Sequence, residues 1–264
     1  MGFARLNDLV LHYRLAGLAE GPVLVLVNSL GTDARIWDEM IALLGDHYRI
    51  LSYDKRGHGL TGAPAGDYTL DHHVEDLLAL LDHLAIDRLV LAGVSVGGMI
   101  AQRFALLHPS RLVGLILCDT AAKVGESTMW NGRIAAVRQG GMAAIADAVM
   151  TRWFTAAFQS QRAADLAGWQ NMLERMPVDG YAGTCAALRD ADLRDDIAQI
   201  AVPTLAVAGA EDLATPVDLV RETAAQIPGA RFEIIEQCGH IPSVEQPGVL
   251  AMLMSNFMRE VGHG

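Results

Sequence analysis

The spacing of apolar and polar positions changes period several times along the chain, and each change marks an element. Two alternating runs, FARL and LVLHYRL, flank Asn7-Asp8 and predict an antiparallel hairpin closed by that turn. VLVLVNSL follows as a short continuous apolar run, the pattern of a strand buried on both faces. RILSYD, RLVLAGV and RLVGLILCD are of the same kind. Between them the period becomes helical. Leu70, Val74, Leu77, Leu78, Leu81 and Leu84 fall on one stripe, and a second helix runs from Gly97 to about His108, stopping before Pro109. This order predicts an α/β fold, a mostly parallel sheet with helices on both faces.

After Asp119 the alternation breaks down. Residues 123–189 contain no strand pattern, and MWNGRIAAV, AIADAVMTRWF and DLAGWQNMLERM read as short amphipathic helices. They predict a helical cap inserted after the sixth strand, with residues 1–122 and 190–264 forming the core domain. The strand and helix order then resumes with PTLAVAGA, VDLVRETAAQI, RFEIIEQ and the terminal helix PGVLAMLMSNFM.

Composition narrows the function. A chain of 264 residues with 52% apolar content can bury a sizeable core, which argues against disorder. The formal charge of −11 argues against nucleic acid and against a membrane surface as partners, since both require a cationic face. An anionic small molecule held by one or two local arginines stays compatible with it. Cys118, Cys185 and Cys238 are odd in number and lack CxxC spacing, so neither a disulfide framework nor a metal site is indicated, and a reducing cytoplasm fits. No apolar run approaches the ~18 residues of a membrane span. Asp8, His12 and Arg14 interrupt the N-terminal segment where a signal peptide needs an apolar core, so a soluble, cytoplasmic protein is expected.

The candidate chemistry begins at GVSVGG, where a buried strand ends in a serine between glycines. A phosphate loop fits poorly, because neither G-x-G-x-x-G nor the lysine-bearing P-loop pattern is present. Gly93-Val94-Ser95-Val96-Gly97 does fit G-x-S-x-G between a strand and a helix, a sharp turn that holds a serine hydroxyl exposed. Such a nucleophile needs a base and an orienting acid. GAEDLATP places Asp212 just after one predicted strand, and CGHIPSVEQP places His240 just after the next. Ser95, Asp212 and His240 thus lie at the carboxyl ends of strands, where open parallel sheets put their ligand sites. An oxyanion hole would take one backbone N–H from Val96 and a second from Leu30 in the loop Asn28-Ser29-Leu30-Gly31, though a plain tight turn there would look similar.

Over nearly its full length the chain resembles the α/β-hydrolase superfamily, on the motifs DKRGHG, GVSVGG, AGAEDLATP and CGHIPSVEQP. NSLGTDARIWD, YDKRGHG, GVSVGGMIAQ and above all DTAAKVGESTMWNGRI are similar to the 3-oxoadipate enol-lactone hydrolases of aromatic catabolism. Where members of that family often carry methionine after the nucleophile, this chain has Val96, whose part is played by the backbone. The resemblance implies an α/β-hydrolase fold and opening of a five-membered enol-lactone that bears a carboxymethyl group, with no metal or organic cofactor required. The core motifs leave other serine hydrolases open: an esterase, a perhydrolase or a carbon–carbon bond hydrolase. A small-molecule receptor with slow turnover is a further alternative, and oligomeric state is not legible.

An acidic protein must neutralise a substrate carboxylate locally, and the cap offers Arg133, Arg138 and Arg152. Arg133 is favoured, because three residues after Trp130 it shares a helical face with an aromatic wall. The remaining polar clusters read as structural. Asp54, Arg56 and His58 are expected to hold their loop, and His72, His73, Glu75 and Asp76 to form a solvated helix face. Cys238 is expected to pack.

Overall fold

A computed structural model describes residues 1–264. The hairpin forms where the alternation places it: β1 (Gly2–Leu6) and β2 (Leu9–Gly17) pair antiparallel, with Leu6 opposite Leu9. Asn7 turns the chain at φ 50°, a left-handed conformation that asparagine tolerates. The apolar runs become β3 (Val23–Val27), β4 (Arg49–Tyr53), β5 (Leu89–Val94), β6 (Leu112–Cys118), β7 (Thr204–Gly209) and β8 (Arg231–Ile235). The core helices are α1 (Asp38–Leu44), α2 (Leu70–His83) and α3 (Val96–Leu107). Between β6 and β7 lie α4 (Ser127–Gly140), α5 (Ala146–Trp153), α6 (Ala156–Gln161), α7 (Ala163–Glu174) and α8 (Val178–Asp190). The chain closes with α9 (Val217–Gln226), α10 (Pro242–Glu245) and α11 (Pro247–Glu260).

One eight-stranded sheet runs β1-β2-β4-β3-β5-β6-β7-β8, parallel from β4 to β8. The strands β5 and β7 are buried at every position, which is why they read as unbroken apolar runs. Strand order reverses direction at β3, because β4 lies on one side of it and β5 on the other. The carboxyl ends of β3 and β5 therefore open onto one crevice, the usual ligand site of such sheets. The loop after β3 and the turn after β5 both lie there.

The structure adds helices that periodicity did not announce. In α8 every residue from Gly180 to Leu188 is buried, so VDGYAGTCAALRD has no polar face from which to read a stripe. Its burial depends on glycine. A Cβ on either Gly57 or Gly180 would collide with the other's backbone, so α8 lies directly on the loop after β4. The short helices α1 and α6 also carry too few turns to show a period.

The expected solvated face on α2 is corrected in two of its four positions. Glu75 is exposed and His72 is partly exposed, its ring accepting from the Thr69 N–H in a capping box. His73 and Asp76, however, are buried. Asp76 receives two hydrogen bonds from Arg56, both 2.8 Å, and one of 2.9 Å from the Asn7 amide, and this ion pair pins α2 to the loop after β4. Burial, helped by the charges of Lys55 and Arg56, holds the His73 imidazole well below its usual pKa, so it packs as a neutral ring. Removing Arg56 would strand a buried carboxylate. Arg56→Ala should therefore lose about 3–5 kcal/mol in a denaturant titration, and the double variant Arg56→Met, Asp76→Leu should recover most of it. A loss below about 1 kcal/mol for Arg56→Ala would show that the pair carries little of the packing.

Candidate active site

Ser95 occupies the turn between β5 and α3 with φ 59° and ψ −122°. A side chain in that region costs about 1–3 kcal/mol, and it persists only where the surroundings over-determine it. Here they do. A Cβ on Gly93 would strike the backbone of Gly97, and one on Gly97 would strike the carbonyl of Val27, so both glycines are needed for so tight a turn. The Ser95 N–H donates to the Cys118 carbonyl at 3.0 Å, and its own carbonyl accepts from Thr120 Oγ1 at 2.6 Å and from the Gly98 N–H at 2.9 Å. Backbone and neighbours fix the residue while its hydroxyl faces a cavity.

Asp212 follows β7 and His240 follows β8, neighbouring strands, and Nδ1 of His240 meets Oδ2 of Asp212 at 2.8 Å. Asp212 accepts from three donors besides His240. Oδ1 accepts from the N–H groups of Ala214 (2.6 Å) and Thr215 (3.1 Å), and Oδ2 also accepts from Thr215 Oγ1 (2.7 Å). Burial pushes the carboxyl's pKa up, but the charge of His240 and these hydrogen bonds outweigh it and hold the acid below the usual range. An ionised Asp212 requires the proton on Nδ1 of His240 and leaves Nε2 as the basic nitrogen. Ser95 and His240 line the same cavity, and no hydrogen bond joins them in this structure. Such contacts commonly close only with substrate bound.

The loop after β3 is a tight turn in which the Thr32 N–H donates to the Ser29 carbonyl at 3.3 Å and Gly31 takes φ 74°. Leu30 sits at its apex and lines the cavity. Val96 opens α3, so its N–H is one of the donors that a helix leaves without an internal partner. Residues of DKRGHG, expected to hold only their own loop, reach across to this one. Asp54 accepts from the Ala34 N–H at 2.8 Å, and Nε2 of His58 accepts from the Gly31 N–H at 3.0 Å. Lys55 was not anticipated. It is buried, donates to the Ser29 carbonyl at 2.5 Å, and burial drives its pKa well below the ordinary lysine value against the pull of Asp54 and Asp33.

The cavity measures about 100 Å³, small even for a metabolite-sized ligand. Trp130, Arg133 and Arg152 reach it from the insertion. The Arg133 guanidinium lies 5.8 Å from the Trp130 ring centre and donates to the Tyr181 hydroxyl at 3.3 Å, so the spacing read on α4 does place the two together. Neither Arg133 nor Arg152 has a carboxylate partner among the ion pairs of the chain, whereas Arg138 points to Asp67 at 3.7 Å and does not line the cavity. The insertion is tied to the histidine loop. The His240 N–H donates to the Trp153 carbonyl at 2.8 Å, and Glu245 accepts from the N–H groups of Gly239 (2.9 Å) and Thr155 (3.1 Å). The motif GHIPSVE carried Glu245 in plain view, but only the folded insertion reveals its partner. Cys238 is buried beside this loop, and burial raises its thiol far out of the reactive range.

Asp119, Asp212 and His240 are the one set of ligand-type side chains close enough to share a metal ion. Their hydrogen bonding speaks for another use, since Nδ1 of His240 and two N–H groups already point at the Asp212 carboxylate.

Fold and site together define a hydrolase. Residues 22–247 match the alpha/beta hydrolase fold family, and the chain belongs to it. The chain is similar to 3-oxoadipate enol-lactonase 2 of Acinetobacter baylyi, with 38% identity over 91% of this chain and 90% of that protein. It is 32% identical to 3-oxoadipate enol-lactonase 1 of the same organism, over 95% of this chain and 94% of that one. The crystal structure of the enol-lactonase from Burkholderia xenovorans LB400 superposes with a TM-score of 0.95 at 38% identity, covering 98% of this chain and all of that one. No helix here is long and apolar enough to cross a membrane.

The donor pattern around Asp212 makes a direct prediction. In Asp212→Asn the amide oxygen should face the Ala214 and Thr215 N–H groups, turning the NH₂ toward His240 and moving the ring proton to Nε2. Imidazole ¹⁵N shifts at neutral pH should show that exchange, and an unchanged Nδ1–H tautomer would contradict it.

Proposed function

We propose that this hydrolase opens the ring of 3-oxoadipate enol-lactone to give 3-oxoadipate, with Ser95 as nucleophile, His240 as base and Asp212 as orienting acid. One observation carries the reading: a strained serine and an Asp-oriented histidine face a small cavity with two arginines that have no acid partner. The likeness to enol-lactonases supports the choice of substrate.

In this mechanism Nε2 of His240 removes the Ser95 proton as Oγ attacks the lactone carbonyl carbon. The carbonyl oxygen becomes an alkoxide, held by the N–H groups of Leu30 and Val96. Collapse breaks the ring C–O bond, and the imidazolium protonates the departing enolate oxygen. The ring opens without releasing a fragment, so the leaving group stays tethered to the acyl chain and ketonises. Water deprotonated by His240 then attacks the acyl carbon, and Ser95 recovers its proton. The insertion acts as a lid that excludes bulk water and supplies Arg133, in contact with Trp130, to pair the substrate's free carboxylate.

Turnover of the enol-lactone should exceed that of simple aryl esters, and the reverse preference would favour a general esterase. Ser95→Ala and His240→Ala should each lower kcat by roughly 10⁴ to 10⁶, and the double variant little further, because the two act as a unit. Additive losses would exclude that unit. Arg133→Ala should lower kcat/KM by roughly 10- to 150-fold, mostly through KM, since the carboxylate keeps its charge throughout. The loss should vanish with an uncharged lactone of similar size; an equal loss on both substrates would make Arg133 a support of the lid.

A further inference from the structure

One buried acid stands beside the histidine pair without a part in the mechanism above. Asp119 directly follows β6 with φ 46°, a left-handed backbone that costs a non-glycine residue energy, and it is fully buried. Its Oδ1 accepts the Gly209 N–H at 2.7 Å, and its own N–H donates to the Val207 carbonyl at 2.8 Å, so two residues of β7 hold it. Its Oδ2 receives no hydrogen bond. Yet a carboxylate oxygen of Asp119, one of Asp212 and a ring nitrogen of His240 all lie within 4.8 Å of one another.

Two ionised carboxylates at that separation, shielded from water, would repel each other, and the unpartnered oxygen would keep its full desolvation cost. Asp212 cannot be the one that gives up its charge, because three donors besides His240 point at it. Asp119 has one donor on one oxygen and none on the other, and its carboxylate lies within 4.8 Å of an Asp212 oxygen. A proton on Oδ2 removes the repulsion and gives the unpartnered oxygen a hydrogen to donate.

We propose that Asp119 is held as the neutral acid at neutral pH and donates from Oδ2 to the Asp212 carboxylate, making it a positioning residue for the His240–Asp212 pair. Burial, then the charge of Asp212, raises the Asp119 carboxyl well above the usual carboxylate range, in keeping with that geometry. The consequence is electrostatic. With Asp119 neutral, a single negative charge stands under the imidazole; with both acids ionised, two would favour the imidazolium and remove the base that Ser95 needs. The other titratable groups around the pair are Glu245 from α10 and the thiols of Cys118 and Cys238, while Arg133 and Arg152 line the cavity with His240. The role in catalysis rests on the reading of His240 and Asp212 given above; the protonation state does not.

Asp119→Asn replaces the acid by a neutral donor of the same shape. Difference infrared spectra at pH 7 should show the C=O stretch of a protonated carboxylic acid in the wild-type protein that Asp119→Asn lacks. The acid limb of kcat/KM in Asp119→Asn should stay within about 0.3 pH units of wild type, with kcat within roughly threefold, whereas Asp119→Leu, which cannot donate, should move the limb up by roughly 0.5 to 1 unit. The proposal is overturned if no acid band is lost and the limb of Asp119→Asn falls by about one unit, the signature of a removed negative charge. The band is independent of turnover. A wild-type protein inert toward the lactone would therefore count against the preceding function while the band still decides the state of Asp119.

Discussion

The backbone at Ser95 is the constraint on which the arrangement of the site depends. A left-handed serine between β5 and α3 is held by two glycines that admit a close approach, one of them against the end of β3, and by hydrogen bonds to Cys118 and Thr120 at the end of β6. Three adjacent strands thus meet at one residue. Ser95 stands proud of the sheet because the chain has no room to turn otherwise, and the same turn starts α3 so that the Val96 N–H is left free. Burial of the sheet on both faces supplies the stability that keeps such a strained turn in place, at roughly 1.5–3 kcal/mol for each large apolar side chain removed from water.

The acid side of the site is organised by counting donors. Asp212 collects two backbone N–H groups, a threonine hydroxyl and the imidazole, which fixes both its charge and the ring tautomer. Asp119 collects one donor, and in our reading supplies one itself. Asp54, Lys55 and His58 hold the loop that carries Leu30 through contacts to Ala34, Ser29 and Gly31. The reactive groups therefore rest on a layer of buried polar residues tied to the backbone as well as to one another.

Much of this was legible in the chain. Ser95 was marked by glycine spacing, Asp212 and His240 by their positions just past apolar strands, and Arg133 by its three-residue offset from Trp130. These signals are local, each set by a strand end or a single helical turn. What escaped was set by distant partners. Asp76 looks like a polar helix residue until Arg56, twenty positions earlier, folds onto it. Asp119 looks like a turn residue until β7 and the Asp212 loop close around it. The helix α8 hides its period because both its faces are buried, and Glu245 is unremarkable until Thr155 of the insertion reaches it.

The most direct measure of the central claim is the covalent state of Ser95 during turnover. Because the lactone's leaving group remains attached, an acyl-enzyme carries the whole substrate, so rapid acid quench and mass spectrometry should find the peptide containing Ser95 heavier by the full mass of the lactone. An adduct on another residue, or product formed through the first turnover with Ser95 never modified, would contradict the account.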